Sequence, residues 1–174
     1  MNSVKKWYQP SGVFAYSKLA NGELDIAMIG SAPLTLACLK KVNITVLAVD
    51  HSAAMSQKLI TYTNRCRSIH GLANRVIATP AGSTAHYSLL HMIQEAGLKA
   101  GDTPSADTVG VKLLGPTEAL AEFKQKKVDG VYLWGAKMAE AAKVPKTQMV
   151  ANTQMSKMWG KDTFIAWAVR NEFL

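Results

Sequence analysis

The sequence predicts an α/β protein built on mostly parallel sheets. In four places a short run of apolar and β-branched residues is followed by a turn of small residues and then by a helical pattern. The four runs lie at 24–29, 44–49, 75–79 and 128–133. Strands that alternate with helices in this way need right-handed crossovers, which set neighbouring strands parallel to each other.

The third of these units is the most informative. A short strand at 75–79 leads into a turn at 80–84, and apolar residues recur at helical spacing from Ala85 onward. Gly97 ends the pattern, as expected for the residue just past the end of a helix. The spacing therefore predicts one strand, one tight turn and one helix in close succession.

Two more helices begin at recognisable caps. Ser31 or Ala32 would cap a helix at 34–41, and serine is the better capping residue of the two. Thr117 would cap a helix that runs to Lys127, with its acidic residues early and its lysines late.

The rest of the chain divides into strands and loops. A strand is predicted at 108–114 and another at 166–169, where Trp167 would belong to the core. The stretches 101–107 and 144–158 are rich in Pro, Gly, Ser, Thr and Asn, which is typical of loops.

The composition is typical of a soluble globular protein. Of 174 residues, 48% are hydrophobic and 18% charged, which is too apolar for a disordered chain. The most apolar run, 44–49, is far shorter than the roughly 20 residues that a membrane-spanning helix needs. Cys38 and Cys66 are too few for a disulfide framework and are not spaced like metal ligands, and whether they ever meet is left open.

The charge balance favours an anionic partner. The formal net charge is +8, from 20 basic and 12 acidic residues. The lysines are scattered and form no stripe interleaved with aromatic residues, so a small anion is expected rather than nucleic acid. Lys5 and Lys6 are followed by no apolar run, so no export signal is predicted in this chain.

The candidate binding residues lie where strands end and helices begin. Ligands of parallel sheets sit beyond the carboxyl ends of the strands, which selects the turns at 30–33, 50–54, 80–87 and 134–137. Ser83 and Thr84 would stand at a helix N-terminus, where unpaired N–H groups and the helix dipole favour anions. The alternative is a plain N-cap with no ligand.

Other residue types give weaker signals. The turn at 30–33 offers a second helix start, and two converging starts are better evidence for an anion than one. His86 would lie one turn into its helix, and Trp134 would lie at the mouth of the crevice. Each side chain would either contact a ligand or pack against the rest of the protein. Cys66 lies between two arginines, which would lower the pKa of a thiol, but no companion base is present. With no paired carboxylates, phosphate loop or nucleophile elbow, the sequence indicates a binding protein rather than an enzyme, without cofactor or metal.

Four runs of the chain resemble the taurine- and aliphatic-sulfonate-binding proteins of ABC importers. They are GELDIAMIGSAP at 22–33, RVIATPAGSTAHYSLL at 75–90, VDGVYLW at 128–134 and WAVR at 167–170. The stretch STAHYSLL is the most specific and is closest to the taurine-binding branch. Order and spacing agree from about residue 11 to residue 174.

The resemblance implies a periplasmic-binding-protein-like fold of type II, with a first lobe at 1–75 and 161–174 and a second lobe at 76–160. It implies a sulfonate held in the cleft between the lobes, a membrane permease as partner, a periplasmic location and a monomer. The residues that would hold the anion, partly through backbone N–H groups, are Ser31, Ala32, Ser83, Thr84 and Ala85, with His86 and Trp134 lining the cleft.

The sequence also departs from this family. Its members are longer at both ends, so the first lobe is expected to be incomplete and to expose apolar surface. Taurine binders carry an acidic residue at the position of Ile165, where it suits an amine, and Asp162 is the nearest carboxylate here. The exact ligand therefore stays open.

Two alternatives remain. One is an enzyme on the same fold, similar to the thiamine-pyrimidine precursor synthases, which use a cysteine-rich iron motif and a lysine-bound cofactor. The two distant cysteines argue against it. The other is an incomplete chain that binds nothing.

Overall fold

The computed structural model describes Lys6 and residues 10–174 of the chain. The helices of this part are α1 (Gly12–Ala20), α2 (Ser31–Leu39), α3 (Thr84–Glu95), α4 (Pro116–Lys124), α5 (Gly135–Ala142) and α6 (Thr153–Met158). The strands are β1 (Ile26–Gly30), β2 (Ile44–Ser52), β3 (Gln57–Tyr62), β4 (Val76–Thr79), β5 (Lys99–Gly101), β6 (Thr108–Leu113), β7 (Gly130–Trp134), β8 (Thr147–Asn152) and β9 (Phe164–Arg170). Short 3₁₀ turns follow at Ile69–Leu72 and Asn171–Phe173.

The strands form two sheets. The first sheet has the order β1-β9-β2, and β9 runs antiparallel to both neighbours. The second sheet has the order β5-β6-β4-β7-β3-β8. Its β5, β6, β4 and β7 are parallel, whereas β3 runs antiparallel to β7 and β8. The predicted α/β architecture with a mostly parallel sheet is confirmed for the second sheet. The first sheet differs, because its central strand β9 runs antiparallel to β1 and β2.

The position of β3 differs from the predicted division of the chain. The resemblance implies a first lobe at 1–75 and 161–174, but β3 (Gln57–Tyr62) lies inside the second sheet, and sheet membership changes between Ser52 and Gln57. All but Lys58 of β3 is buried. A strand covered on both faces is stable only inside a sheet that has helices on both sides.

Residues 144–158, predicted to be a loop, contain β8 and α6. β8 lies at an edge of the second sheet, where only one side of a strand pairs, so the polar residues that suggested a loop remain in contact with solvent. The composition of an exposed edge strand and that of a loop are too similar to be separated by residue content alone.

The helix starts also shift from their predicted positions. α4 begins at Pro116 with Gly115 as its N-cap, so Thr117 lies inside the first turn and does not cap it. A proline fits the first helical position because its missing N–H would have no partner there. α2 begins at Ser31 with Gly30 as its N-cap and no side-chain cap, so neither Ser31 nor Ala32 fills that role. By contrast, a side chain does cap α3, because the Ser83 hydroxyl accepts the N–H of His86.

Helices cover both faces of the second sheet. On one face α3 buries Leu89 and Met92 against Leu59 of β3. On the other face Phe123 of α4 packs with Val131 of β7. The first sheet is covered on one face by α1 and α2, in a separate small cluster of buried residues.

The other face of the first sheet is open. Ala27 and Ile29 of β1 are buried, whereas Met28 is 45% exposed. Met28 lies opposite Trp167 in the register, so the two side chains share the open face, and Trp167 is 38% exposed. Trp167 is therefore not a core residue, contrary to the prediction. The expectation of exposed apolar surface on the first lobe is confirmed.

The helices of the described residues are all too short or too polar to cross a lipid bilayer.

Candidate functional site

The N-termini of α2 and α3 meet between the two sheets. β1 passes directly into α2 at Gly30 and Ser31, and β4 reaches α3 through the turn that ends at Ser83. The Thr84 hydroxyl lies in the space that a Cβ atom on residue 30 would fill. The starts of α2 and α3 are therefore in direct contact at Gly30 and Thr84.

Both helix starts present backbone donors. The first N–H groups of a helix have no partner inside it, and Gly30 provides no side chain to replace one for α2. In α3 the Ser83 hydroxyl accepts only the N–H of His86, at 3.0 Å. The N–H groups of Ser31, Ala32, Thr84 and Ala85 are left at the positive ends of two helix dipoles, an arrangement that favours anions.

The first cavity lies between the two sheets and measures about 310 Å³. Of the predicted residues, Ser83, Thr84 and Trp134 line it. Trp134 also packs against the core of the second sheet, so one part of its side chain lines the first cavity and another part belongs to the core. The remaining lining residues come from both sheets, from α1, α2 and α5, and from the positions just before α1 and β3: Ser11, Gly12, Met28, Gly30, Pro33, His51, Ser56, Gln57, Gly135 and Ile165. The residues that line it include no aspartate, glutamate, lysine or arginine within the described chain.

The second cavity lies between α2 and α3 and measures about 510 Å³. The predicted residues Ser31, Ala32 and His86 line it, and Ser83 belongs to both cavities. Asp162 also lines it. The contact between Gly30 and Thr84 thus divides the predicted site into two neighbouring cavities.

Ala85 lines neither cavity. Its side chain is fully buried in the core with Leu89, because the second residue of α3 points towards the second sheet. Only its backbone N–H is available to a ligand, and a role for that group stays a prediction.

His86 is held as a neutral imidazole. Its Nδ1 accepts a hydrogen bond from the Gly82 N–H at 3.2 Å, and burial lowers the pKa of the ring. Since Nδ1 accepts, the neutral ring carries its proton on Nε2. Gly82 has a φ of +62°, a conformation that favours glycine.

Cys66 is not activated by its neighbours. Burial raises the pKa of its thiol, contrary to the expectation from the adjacent arginines. Arg65 pairs with Asp129 at 3.6 Å, and the Arg67 Nε donates to the Thr63 carbonyl at 2.9 Å. Both guanidinium groups are therefore engaged elsewhere, and Cys38 and Cys66 are both free.

Several residues of the first cavity cannot be predicted from the sequence. Met28, Ser56 and Gln57 carry no recognisable motif, and Gln57 belongs to β3, a strand that the sequence pattern does not indicate. His51 lies in the selected turn at 50–54 but in isolation resembles any exposed histidine. Only the pairing of β2 with β9 shows that it faces the cavity.

Ser83→Ala is expected to lower the free energy of unfolding by about 1 kcal/mol, or roughly 3 °C in Tm. The Ser83 hydroxyl donates to the Pro80 carbonyl at 2.6 Å as well as accepting from His86, and it is buried. Thermal unfolding followed by circular dichroism measures the loss. Thr117→Ala is the matched control, because Thr117 is exposed in a first helical turn and does not cap it. Equal melting temperatures for the two variants would contradict the capping role.

The structure has two sheets, each with its own core, and a cleft between them where two helices begin. This is the architecture of substrate-binding proteins. The chain belongs to the OpuAC family, the substrate-binding domain of ABC-type glycine betaine transport systems, whose sequence profile matches residues 3–174. It is 29% identical over 163 residues to the taurine-binding periplasmic protein of Escherichia coli (strain K12), covering 94% of this chain and 48% of that protein. A putative aliphatic sulfonates-binding protein of the same organism is 25% identical over 126 residues, 72% of this chain and 38% of that protein.

Solved structures show the same fold. The periplasmic aliphatic sulphonate-binding protein SsuA from Escherichia coli superposes with a TM-score of 0.76 at 20% identity, over 95% of this chain and 54% of that one. The alkanesulfonate-binding protein SsuA from Xanthomonas axonopodis pv. citri, bound to MOPS, gives a TM-score of 0.78 at 18% identity with the same coverage. The chain spans about half the length, or less, of the curated relatives it matches.

Proposed function

We propose that the chain is part of the substrate-binding component of an ABC importer and holds a sulfonate-type anion at the N-termini of α2 and α3, where the two cavities adjoin, with the rest of the ligand in the first cavity. The observation that carries this proposal is the meeting of α2 and α3 at Gly30 and Thr84, beside a cavity that both sheets line. The proposal includes a membrane permease as partner, a periplasmic location and a monomeric state, and no role in binding nucleic acid or in catalysis.

A sulfonate suits the donors at this point. Its three oxygens share one negative charge, so N–H groups from both helix starts and the Thr84 hydroxyl can each contact an oxygen. Hydrogen bonds to a charged group contribute about 1.5–3 kcal/mol each. Three or four of them, less the cost of ordering, give about 8 kcal/mol and hence micromolar binding.

The walls of the first cavity favour an apolar tail. Met28, Trp134 and Ile165 contribute apolar side chains, and no carboxylate of the described chain lines the cavity to receive an amine. A quaternary ammonium such as that of glycine betaine is bound by a cage of several aromatic rings. Trp134 is the one Phe, Tyr or Trp residue among the described residues that line the first cavity. Among the compounds named for the family and its relatives, an aliphatic sulfonate therefore fits better than taurine or glycine betaine.

Titration calorimetry with butanesulfonate, taurine, sulfate and glycine betaine tests the proposal. We expect butanesulfonate to bind with a Kd of about 1–100 µM, at least about tenfold more tightly than taurine, since a desolvated amine without a partner costs 1 kcal/mol or more. Choline, a cation of similar size, is the control. Absence of heat with every sulfonate at millimolar concentration, together with an unchanged Tm, would contradict the proposed function.

A further inference from the structure

A β-bulge in β2 aims two neighbouring side chains to the same side. Val49 pairs with Ala166 and His51 pairs with Ile165, so Asp50 is an extra residue with no partner in β9. In a regular strand the side chains of Asp50 and His51 would point to opposite faces of the sheet. A bulge breaks this alternation, and the Asp50 Oδ2 lies 2.5 Å from the His51 Nδ1.

The carboxylate that contacts His51 is itself held in place. The Trp167 Nε1 donates to the Asp50 Oδ1 at 3.0 Å, which gives both carboxylate oxygens a hydrogen-bond partner. Hydrogen bonds from His51 and then from Trp167 hold the pKa of Asp50 below its usual range, so it is ionised at neutral pH. Asp50 therefore acts as a fixed acceptor for one nitrogen of the imidazole.

His51 lines the first cavity from the first sheet. It lies opposite Ile165 in the register, so both side chains face the same side of that sheet, and both line the cavity. From the second sheet, Gln57 and Trp134 face the cavity, and neither titrates near neutral pH.

The next charged groups are already paired. Asp162 accepts a hydrogen bond from the hydroxyl of Ser52, the residue after His51, at 3.4 Å, and it pairs with Lys157 at 3.3 Å. Phe164 and Ile165 of β9, which pair with Ser52 and His51, carry no charge. Among the described residues that line the first cavity, His51 is the one with a titratable side chain.

We propose that His51 binds the anion as an imidazolium through Nε2–H, with Asp50 as the positioning residue. The inference rests on the proposed function. Asp50 accepts the hydrogen bond from Nδ1–H, so the proton of the neutral ring is on Nδ1 and Nε2 carries none. In this form Nε2 can only accept a hydrogen bond from a ligand in the cavity. Protonation adds the Nε2–H and a positive charge. Anion binding therefore takes up a proton and strengthens as the pH falls.

The first test is the pH dependence of butanesulfonate binding. Imidazole is the side chain that gains a charge between pH 8 and pH 5, so we expect the Kd to fall about tenfold between pH 8 and pH 6. Calorimetry at one pH in buffers of different ionisation enthalpy should show proton uptake. In His51→Gln both effects should vanish, whereas His70→Gln, which alters an exposed histidine outside both cavities, should keep them.

Each result has one meaning. Binding that keeps the same pH dependence in His51→Gln overturns the inference and leaves the proposed function standing. Binding that weakens as the pH falls also overturns it, because the ring would then act as an acceptor. Absence of binding at every pH overturns both.

A second test needs no ligand. Nitrogen-15 NMR of the imidazole rings should show the neutral His51 ring protonated at Nδ1, and Asp50→Asn should shift its titration to lower pH. A neutral ring protonated at Nε2 in the unmodified chain would overturn the role of Asp50. Asp50→Asn should also move the midpoint of the binding profile to lower pH, which a merely structural role would not do.

Discussion

Gly30→Ala is expected to weaken sulfonate binding at least tenfold and to lower the Tm by roughly 5 °C. The added Cβ atom would overlap the Thr84 hydroxyl, which is buried, so the starts of α2 and α3 must shift relative to each other. Since the proposed anion needs donors from both helix starts, a shift of even a few tenths of an ångström lengthens several hydrogen bonds together. Titration calorimetry and thermal unfolding measure the two effects.

Gly115→Ala is a closely matched control. Gly115 is also a glycine N-cap, with φ −60° and ψ 156° against φ −73° and ψ 156° for Gly30, and alanine adopts both conformations without strain. A Cβ atom at residue 115 would meet nothing within 4 Å. Adding Thr84→Ala to Gly30→Ala removes the overlapping hydroxyl, so the double variant should regain most of the lost Tm but not the binding. Equal binding by Gly30→Ala and Gly115→Ala would place the anion elsewhere.

Ile165→Asp is expected to reverse the ligand preference. A carboxylate at this position of the first cavity would repel a sulfonate by about 1–2 kcal/mol and would provide the partner that an amine lacks. Butanesulfonate should lose about tenfold in affinity, and taurine should become the better ligand of the two. Competition calorimetry with both compounds measures the ratio.

Ile165→Asn separates charge from shape. Asparagine has the size of aspartate but no charge, so it should weaken the binding of butanesulfonate and taurine by similar factors. If Ile165→Asn reversed the preference as well, the loss of the apolar wall rather than the carboxylate would be the cause. If Ile165→Asp left the ratio unchanged, the tail of the ligand would not lie against residue 165.

The elements that sequence patterns predict well are those with local causes. The strand predicted at 75–79, which the structure has at 76–79, and the end of the following helix before Gly97 both follow from residues adjacent in the chain. β3 and β8 were missed because their stability comes from distant partners. β3 is held between β7 and β8, which lie more than 60 residues further along the chain.

The candidate site was partly predictable for the same reason. The rule that ligands lie beyond the carboxyl ends of parallel strands selects both helix starts without any knowledge of the fold. The division into two cavities depends on one contact between Gly30 and the Thr84 side chain, and the face of the His51 ring depends on a bulge. Neither a single long-range contact nor a register shift leaves a mark in the local sequence.

β2 has a consequence for the protein in solution. It is the longest strand, with nine residues, lies at an edge of the first sheet and is exposed from Thr45 to Ser52. Along its outer side the main-chain amides and carbonyls have no strand beside them within the described chain, while Leu47 and Val49 are at least half exposed. A long, exposed edge strand with apolar side chains is a template for edge-to-edge aggregation. A purified preparation would therefore be kept dilute. A lysine introduced on the outer side of β2 would disfavour pairing with the same strand of another molecule.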